Sequence, residues 1–472
     1  MEQIKFGTDG WRAVIAKEYT FDNVNRVTQA VSKWIKKSGI TNNGVVIGYD
    51  ARFLGREFAE HTAEVFAAME IAVRISDQVV STPAVSWAAN HFDALGIVIT
   101  ASHNPPEYNG FKIKAPFGGS ATPDQIKGIE EELSNIVDVI EVQLYKNSVK
   151  KGLIRELDLG SGYLKLISEN LDMDSIRKSQ LKIAHNPMFG SGMGYLKKLL
   201  GDQVFECNHH RDPTFGGTAP EPVEQNLKEF PAFVLSHQCD IGIANDGDAD
   251  RIAMVDEKGQ FVDSHRMLSL LAKYLHLDKK MDGTIVKTFS TSSMLNKQAE
   301  SYGLPLVETP IGFKYIADLM IQGNVLAGGE ESGGLAVKGH IPERDGIYIG
   351  LLIAEMMVKT GKPLSTLVQE LFDEYGPHEY YRSDILTLES KKQAMTTFCR
   401  EKKLKEIAGK KVIGWDFKDG IKQLMEDGTW LLVRQSGTEP VLRIYAEATT
   451  KEDAIALVED ACSWVERPEI FQ

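Results

Sequence analysis

One supersecondary unit occurs three times along the 472 residues, and this repeat constrains the fold more than any other feature. Each copy runs through an apolar strand, a polar loop, a helix, a short break and a second apolar strand. The first is Val45–Tyr49, Asp50–Arg56, a helix to about Met69, then Ile71–Ile75. The second is Leu181–His185, Asn186–Gly190, a helix to about Leu200, then Val204–Cys207. The third is Thr284–Thr288, Phe289–Thr291, a helix to about Tyr302, then Leu304–Glu308. Short β-branched runs alternating with helices of this length predict parallel βαβ units with right-handed crossovers.

Each unit is followed by another helix and another apolar strand, which ends in a loop rich in functional residue types. Gly96–Thr100 runs into Ala101-Ser102-His103-Asn104-Pro105, Asp240–Ala244 into Asp246–Arg251, and Asn324–Ala327 into Gly328–Gly334. Ligands of open α/β sheets sit beyond the carboxyl ends of strands, so these loops are candidate walls of a shared cleft. Three independent α/β domains whose loops never meet is the competing reading. Beyond Glu374-Tyr375-Gly376-Pro377 come several short strands with separate helices, the pattern of an α+β domain. The expected organisation is an α/β chain of four domains, 1–150, 151–256, 257–375 and 376–472. The first three are related α/β/α modules with mixed, mostly parallel sheets.

Charge and composition remove several function classes. Lys and Arg number 53 against 66 Asp and Glu, a net charge of −13, whereas DNA and anionic membranes both require a positive field. No nucleic acid and no membrane partner is therefore expected. No apolar run reaches the ~18 residues of a membrane span, and the N-terminus has no signal-peptide core, so a cytoplasmic location is expected. Cys207, Cys239, Cys399 and Cys462 are widely spaced and signal neither a disulfide framework nor a zinc site.

Asp246, Asp248 and Asp250 alternate with small residues at a strand end, and carboxylates that close repel one another unless a cation lies among them. An all-oxygen set suits Mg²⁺ or Ca²⁺. An EF-hand is excluded, because Arg251 stands where its loop needs glycine and the flanks are strand-like. A solvated acidic turn is the plainer alternative. Arg251 beside a metal site makes sense if a phosphate also approaches. Ser102 at a strand end is a candidate nucleophile, although G-x-S-x-G is absent. On a strand, the adjacent His103 would point away from it. A plain turn stabilised by Asn104 accounts equally well for the stretch. Arg434-Gln435-Ser436-Gly437-Thr438-Glu439-Pro440, with Arg443 beyond, has the donors of a phosphate nest. Neither a Walker A pattern nor G-x-G-x-x-G after a strand is present, which argues against nucleotide binding. Gly329-Glu330-Glu331-Ser332-Gly333 suits either the reading of sugar hydroxyls or an exposed hairpin turn.

Together these segments resemble the α-D-phosphohexomutase family, which includes phosphoglucomutases and phosphomannomutases. Phe6-Gly7-Thr8-Asp9-Gly10-Trp11-Arg12 is similar to its N-terminal motif, Thr100–Pro105 to its phosphoserine loop and Asp246–Arg251 to its metal loop. Gly329–Gly333 is similar to its sugar loop and Arg434–Pro440 to its phosphate loop. The resemblance implies four domains around a central cleft. It implies catalytic roles for Ser102, Arg12, Lys112 and His103, and one Mg²⁺ per chain on Asp246, Asp248, Asp250 and a phosphoserine oxygen of Ser102. Phosphoserine would pass its group to O6 of a hexose 1-phosphate, and the resulting bisphosphate would return a phosphoryl group from O1. A hexose phosphate is thus the implied substrate and glucose 1,6-bisphosphate the implied intermediate and activator, in a monomer or homodimer. Arg251, Arg434, Ser436, Gly437, Thr438 and Arg443 would hold phosphate, and Glu330 and Ser332 ring hydroxyls, with His340 and Arg344 alongside.

The chain departs from the family pattern at two places. In His340-Ile341-Pro342-Glu343-Arg344-Asp345-Gly346, Arg344 stands where some phosphoglucomutases have a lysine proposed as general acid, and arginine does not deprotonate. Proton transfer would then fall to Lys112, His103 or His340. The sugar loop reads Glu-Glu-Ser-Gly-Gly, where phosphomannomutases of dual specificity and phosphoglucosamine mutases often end in histidine. The doubled glutamate favours glucose, and Trp11 is expected to lean the same way. Phosphoglucomutase is the leading expectation, with phosphomannomutase, dual-specificity phosphohexomutase and phosphoglucosamine mutase as alternatives. A non-catalytic sugar-phosphate-binding protein is the alternative of a different class.

Overall fold

The structure, a computed structural model, describes residues 4–7, 9–402, 404–435 and 441–465. It divides into two compact units, residues 1–282 with 313–366, and residues 283–312 with 367–472. Among the described residues no helix is long and apolar enough to cross a membrane.

All three βαβ units form with parallel strand pairs. Val45–Tyr49 pairs with Val73–Ser76 across the helix Gly55–Ala68, and Ile183–Asn186 with Val204–Glu206 across Tyr195–Leu200. Thr284–Thr288 pairs with Leu306–Thr309 across Met294–Tyr302. The second helix starts later than the repeat suggests, because Gly190, Gly192 and Gly194 each disfavour helical backbone.

In the first unit one sheet runs in the order Trp11–Val14, Tyr108–Ala115, Leu95–Ile99, Val45–Tyr49, Val73–Ser76, Ile154–Leu157. A second runs Phe261–Val262, Ile252–Asp256, Ile241–Asn245, Ile183–Asn186, Val204–Glu206. The helix Phe21–Ser38 shows how sequence builds these layers. Thr20 caps its first turn by accepting from the Asn23 N–H, Gly39 ends it in the left-handed region, and Val24, Val27, Val31 and Ile35 form its buried stripe.

The feature that positions the site recurs in each repeat. The strand after the parallel pair turns back antiparallel: Leu95–Ile99 onto Tyr108–Ala115, Ile241–Asn245 onto Ile252–Asp256, and Val325–Gly329 onto Leu335–Val337. Each hairpin loop is one of the loops singled out in the sequence, at a strand's carboxyl end.

The second unit holds the parallel pair of the third repeat and a wholly antiparallel sheet. Its order is Glu379–Leu386, Val441–Ala448, Trp430–Gln435, Ile421–Met425, Lys410–Asp416, Glu406–Ile407. The helices Glu389–Arg400 and Lys451–Trp464 contribute Met395, Leu457 and Trp464 to a core with Leu431, Val433 and Ile444.

Candidate active site

Ser102 lies in the loop between Leu95–Ile99 and Tyr108–Ala115 with φ 54°, in the left-handed region. Its N–H donates to Thr100 Oγ1 at 2.8 Å. This turn corrects the expectation that His103 points away. Because Ser102 is not in strand geometry, its Oγ lies 3.3 Å from His103 Nδ1.

The carboxylate loop meets the serine loop directly. Gly247 explains how: a Cβ there would lie 2.4 Å from the Ser102 carbonyl oxygen, so only glycine permits this approach. Ser102 Oγ donates to Asp246 Oδ2 at 2.9 Å. Asp246, Asp248 and Asp250 are all buried, and one oxygen of each lies within 4.8 Å of the others. Asp248 Oδ2 accepts from Thr82 Oγ1 at 2.5 Å and Lys112 Nζ at 2.8 Å. Asp250 Oδ2 accepts from Lys112 at 3.1 Å and Arg344 at 2.6 Å. The remaining oxygens, Asp248 Oδ1 and Asp250 Oδ1, are buried with no hydrogen-bond partner among the described residues. Orphaned carboxylate oxygens beside a serine hydroxyl form the donor set of a hard divalent cation, so these residues fit a metal. Burial, then repulsion from Asp248 and Asp250, pushes the Asp246 carboxyl well above its usual range. Burial acts the same way on Asp248, but Lys112 and Thr82 outweigh it and hold that carboxyl low.

Asp9 is the hub of the cationic side. It accepts from Lys112 at 2.8 Å, Lys114 at 3.4 Å and Arg344 at 2.5 Å. Burial would raise its carboxyl, yet Lys112, Lys114, Arg344 and Arg12 keep it well below its usual range. Lys114 also pairs with Glu343 at 2.6 Å. For Lys112, burial is overcome by Asp248, Asp250 and Asp9, which hold it firmly as a cation. Arg12 donates to Asn104 Oδ1 at 2.7 Å, and Arg251 pairs with Glu221 at 3.4 Å.

The sugar loop closes a hairpin, as its plainer reading had it, but Glu330 is buried rather than exposed. Arg344 lies 3.8 Å from Glu330 Oε2, and the Gly333 carbonyl accepts from the Ile252 N–H at 3.1 Å, joining this loop to the metal loop. Ser332 is half-buried in the same turn. Burial pushes the Glu330 carboxyl up to about 7 against the opposing charge of Arg344. The three loops therefore meet, and the reading in which they stay apart falls.

Strand alternation turns Trp11 inward while Arg12 is half-buried, so Trp11 packs against Tyr19 in the core with ring centroids 4.8 Å apart. The His340 side chain is buried against Tyr348 with Nε2 2.7 Å from Asp345 Oδ2, and among the described residues it hydrogen-bonds to no other candidate. In the second unit, Arg434 and Arg443 lie directly opposite each other across two antiparallel strands, with Arg434 pairing Asp419 at 2.9 Å and Arg443 3.5 Å from Asp384. Ser436, Gly437 and Thr438 lie outside the described residues. Sequence reasoning missed Asp9, Lys114 and Glu343. Asp9 lay inside a quoted motif, and Lys114 is two residues from Lys112 on the same strand face.

The chain matches the family models for phosphoglucomutase/phosphomannomutase α/β/α domain I over residues 3–138, domain II over 161–259 and domain III over 263–375. The model for the C-terminal domain matches residues 393–463. It is 34% identical over 454 residues to a phosphoglucomutase/phosphomannomutase from Thermococcus kodakarensis, covering 95% of each chain. It is 33% identical to a probable phosphoglucosamine mutase from Pyrococcus abyssi, covering 97% of this chain and 96% of that one. The solved structure of a putative phosphomannomutase from Thermus thermophilus superposes with a TM-score of 0.86 at 33% identity. That match covers 99% of this chain and 100% of the other.

Proposed function

Because the chain belongs to the phosphoglucomutase/phosphomannomutase family of α-D-phosphohexomutases, and is thus a phosphoryl-shifting isomerase, we propose that it interconverts glucose 1-phosphate and glucose 6-phosphate. The observation that carries this reading is Ser102 Oγ, 2.9 Å from Asp246, beside two unpartnered carboxylate oxygens in a buried, cation-lined site. Phosphoryl transfer needs charge neutralisation and in-line positioning above all.

Ser102 carries the phosphoryl group. The P–Oγ bond breaks as the substrate O6 bonds to phosphorus, the O6 proton passes to a base, for which His103 is proposed, and the freed Oγ, 3.3 Å from His103 Nδ1, takes a proton back. The second half reverses this at O1, returning the group to Ser102. Asp246, Asp248 and Asp250 would hold Mg²⁺, which when bound supplies positive charge to the transferring oxygens. Lys112 and Arg344, fixed by Asp9, Asp248 and Asp250, add positive charge beside it. Arg12 and Arg251 face the same charge development, and Glu330 and Ser332 accept from ring hydroxyls. The grip on the non-reacting phosphate is assigned to Arg434, Arg443 and the 436–438 segment. Glucose is favoured by the doubled glutamate at 330–331.

The test is turnover of glucose 1-phosphate with Mg²⁺ and trace glucose 1,6-bisphosphate, alongside the mannose and glucosamine 1-phosphates. The expected results are the highest kcat/KM for glucose, loss of turnover in Ser102→Ala, and a phosphate-sized mass increment mapping to Ser102. Full activity in Ser102→Ala refutes the mechanism. A higher kcat/KM for another sugar refutes the substrate, and binding without turnover or phosphorylation makes the chain a sugar-phosphate-binding protein.

A further inference from the structure

We propose that Asp50 and Arg52, in the loop after Val45–Tyr49, are positioning residues that clamp Ser102 in its left-handed turn, a role that rests on the phosphoserine reading above. Both are essentially fully buried and form an ion pair at 3.2 Å. Left-handed backbone costs a non-glycine residue roughly 1–2 kcal/mol, so the turn persists only where its surroundings hold it.

The pair holds Ser102 from both sides. On the amino side, the Ser102 N–H donates to Thr100 Oγ1 at 2.8 Å, and that hydroxyl donates its own proton to Asp50 Oδ2 at 2.5 Å. On the carboxyl side, Arg52 donates to the Ser102 carbonyl at 2.7 Å. The same guanidinium donates to the carbonyls of Asn104 at 2.6 Å, Pro105 at 2.8 Å and Tyr108 at 3.0 Å. One planar fork thus gathers four carbonyls of the serine loop, with the Phe215 ring 4.8 Å from its centre. A lysine has no equivalent fork.

The consequence reaches the chemistry through other residues. Neither Asp50 nor Arg52 hydrogen-bonds to the carboxylate triad, but the turn they fix sets Ser102 Oγ against Asp246. It also sets the Asn104 amide oxygen that orients Arg12. A displaced phosphoserine loses in-line geometry, which typically costs on the order of 100-fold per Å. Binding of the sugar by Glu330 and Ser332 is left intact.

The experiment uses the full chain with Arg52→Lys and, as a milder variant, Thr100→Val. The expected result is a fall in kcat, and in phosphoryl uptake onto Ser102 from glucose 1,6-bisphosphate, of roughly 10- to 100-fold with KM within about twofold. Amide deuterium exchange over 100–110 should quicken while Val45–Tyr49 and Leu95–Ile99 stay protected. Wild-type kcat per folded molecule with unchanged exchange overturns the clamp, even if the thermal midpoint falls. If the wild-type chain itself takes up no phosphoryl group, the phosphoserine reading fails, and the exchange measurement alone decides whether the clamp exists.

Discussion

Replacing Gly334 by alanine tests whether the sugar loop and the metal loop are joined through Arg344. An added Cβ would lie 2.4 Å from Arg344 Cδ and 3.1 Å from its Cγ, far inside the ~3.5–4.0 Å of favourable carbon contact. Gly334 has no left-handed φ, so the substitution adds no backbone strain. Arg344 cannot retreat freely: Asp9 holds it at 2.5 Å, Asp250 at 2.6 Å, and its guanidinium lies over Phe313 at 5.4 Å. Displacing it breaks a buried ion pair, typically worth about 3–5 kcal/mol when the partner charge is left alone. Here Asp9 keeps Lys112 and Lys114, and Asp250 keeps Lys112, which lowers the expected cost to about 2–3 kcal/mol. The first unit has about 340 residues and an unfolding entropy near 0.7 kcal/mol/K, so its thermal midpoint should drop by about 3–4 °C. Glucose 1-phosphate turnover should fall by on the order of 10-fold or more. The decisive comparison is a cycle with Arg344→Ala, in which the added methyl should cost under about 0.5 kcal/mol once the clash is gone. An equal cost in both backgrounds, or an unchanged midpoint in the single variant, refutes the coupling.

Glu330, raised to about 7, takes up a proton as pH falls through that value, and on the proposed reading would then lose an acceptor for ring hydroxyls. KM for the hexose phosphate should therefore rise below pH 7 in the wild type more steeply than in Glu330→Gln; parallel profiles refute the assignment. In the second unit, burial and the charge of Lys287 bring Lys422 down to about 8 despite Glu308 and Glu447. Between pH 8 and 10.5 the unfolded chain keeps a proton that the folded chain has lost. Stability relative to Lys422→Met should therefore rise by up to about 3 kcal/mol across that window, read as a growing difference in urea midpoints. A constant difference sinks that reading. Mg²⁺ at about 100 times its dissociation constant should stabilise the protein by about 2.7 kcal/mol over an EDTA-treated sample. Asp248→Asn should lose most of that gain, and an undiminished gain would place the metal elsewhere.

The repeat was legible because each copy carries its own local signal: β-branched strands, a helix of fixed length, and a hairpin loop of functional residue types. The loops' convergence was legible only as a rule about strand ends, because the contacts that bring them together are long-range. Ser102 and Asp246 are 144 residues apart, and Arg344 and Asp9 are 335 apart. The His103 expectation failed for a local reason. Strand geometry was carried past the strand's end at Ile99 into a turn that Thr100 and Arg52 hold. Asp9, Glu343 and Arg52 were missed because a single carboxylate or guanidinium carries no spacing signal, and its meaning lies in which distant group it meets.

The same contacts explain how a chain of net charge −13 builds a site for an anion. Each buried cation of the site in the first unit is held by a carboxylate: Lys112 by Asp9, Asp248 and Asp250, Lys114 by Glu343, Arg344 by Asp9 and Asp250, and Arg52 by Asp50. A buried cation without such a partner would shed its proton or unfold its surroundings, so the carboxylates are what allow the positive charge to be buried at all. Net charge sums over distances far beyond the roughly 8 Å at which physiological salt screens exposed charges. What an arriving phosphate meets is set by groups within a few ångströms, where Lys112, Arg344, Arg12 and Arg251 surround the carboxylate triad. The orphaned oxygens of Asp248 and Asp250 complete the argument. With Lys112 and Arg344 already satisfying the other oxygen of each, these two would be open to a cation without release of the lysine or the arginine. On the proposed mechanism, metal charge and fixed side-chain charge would therefore add at the transferring group instead of competing for the same ligands.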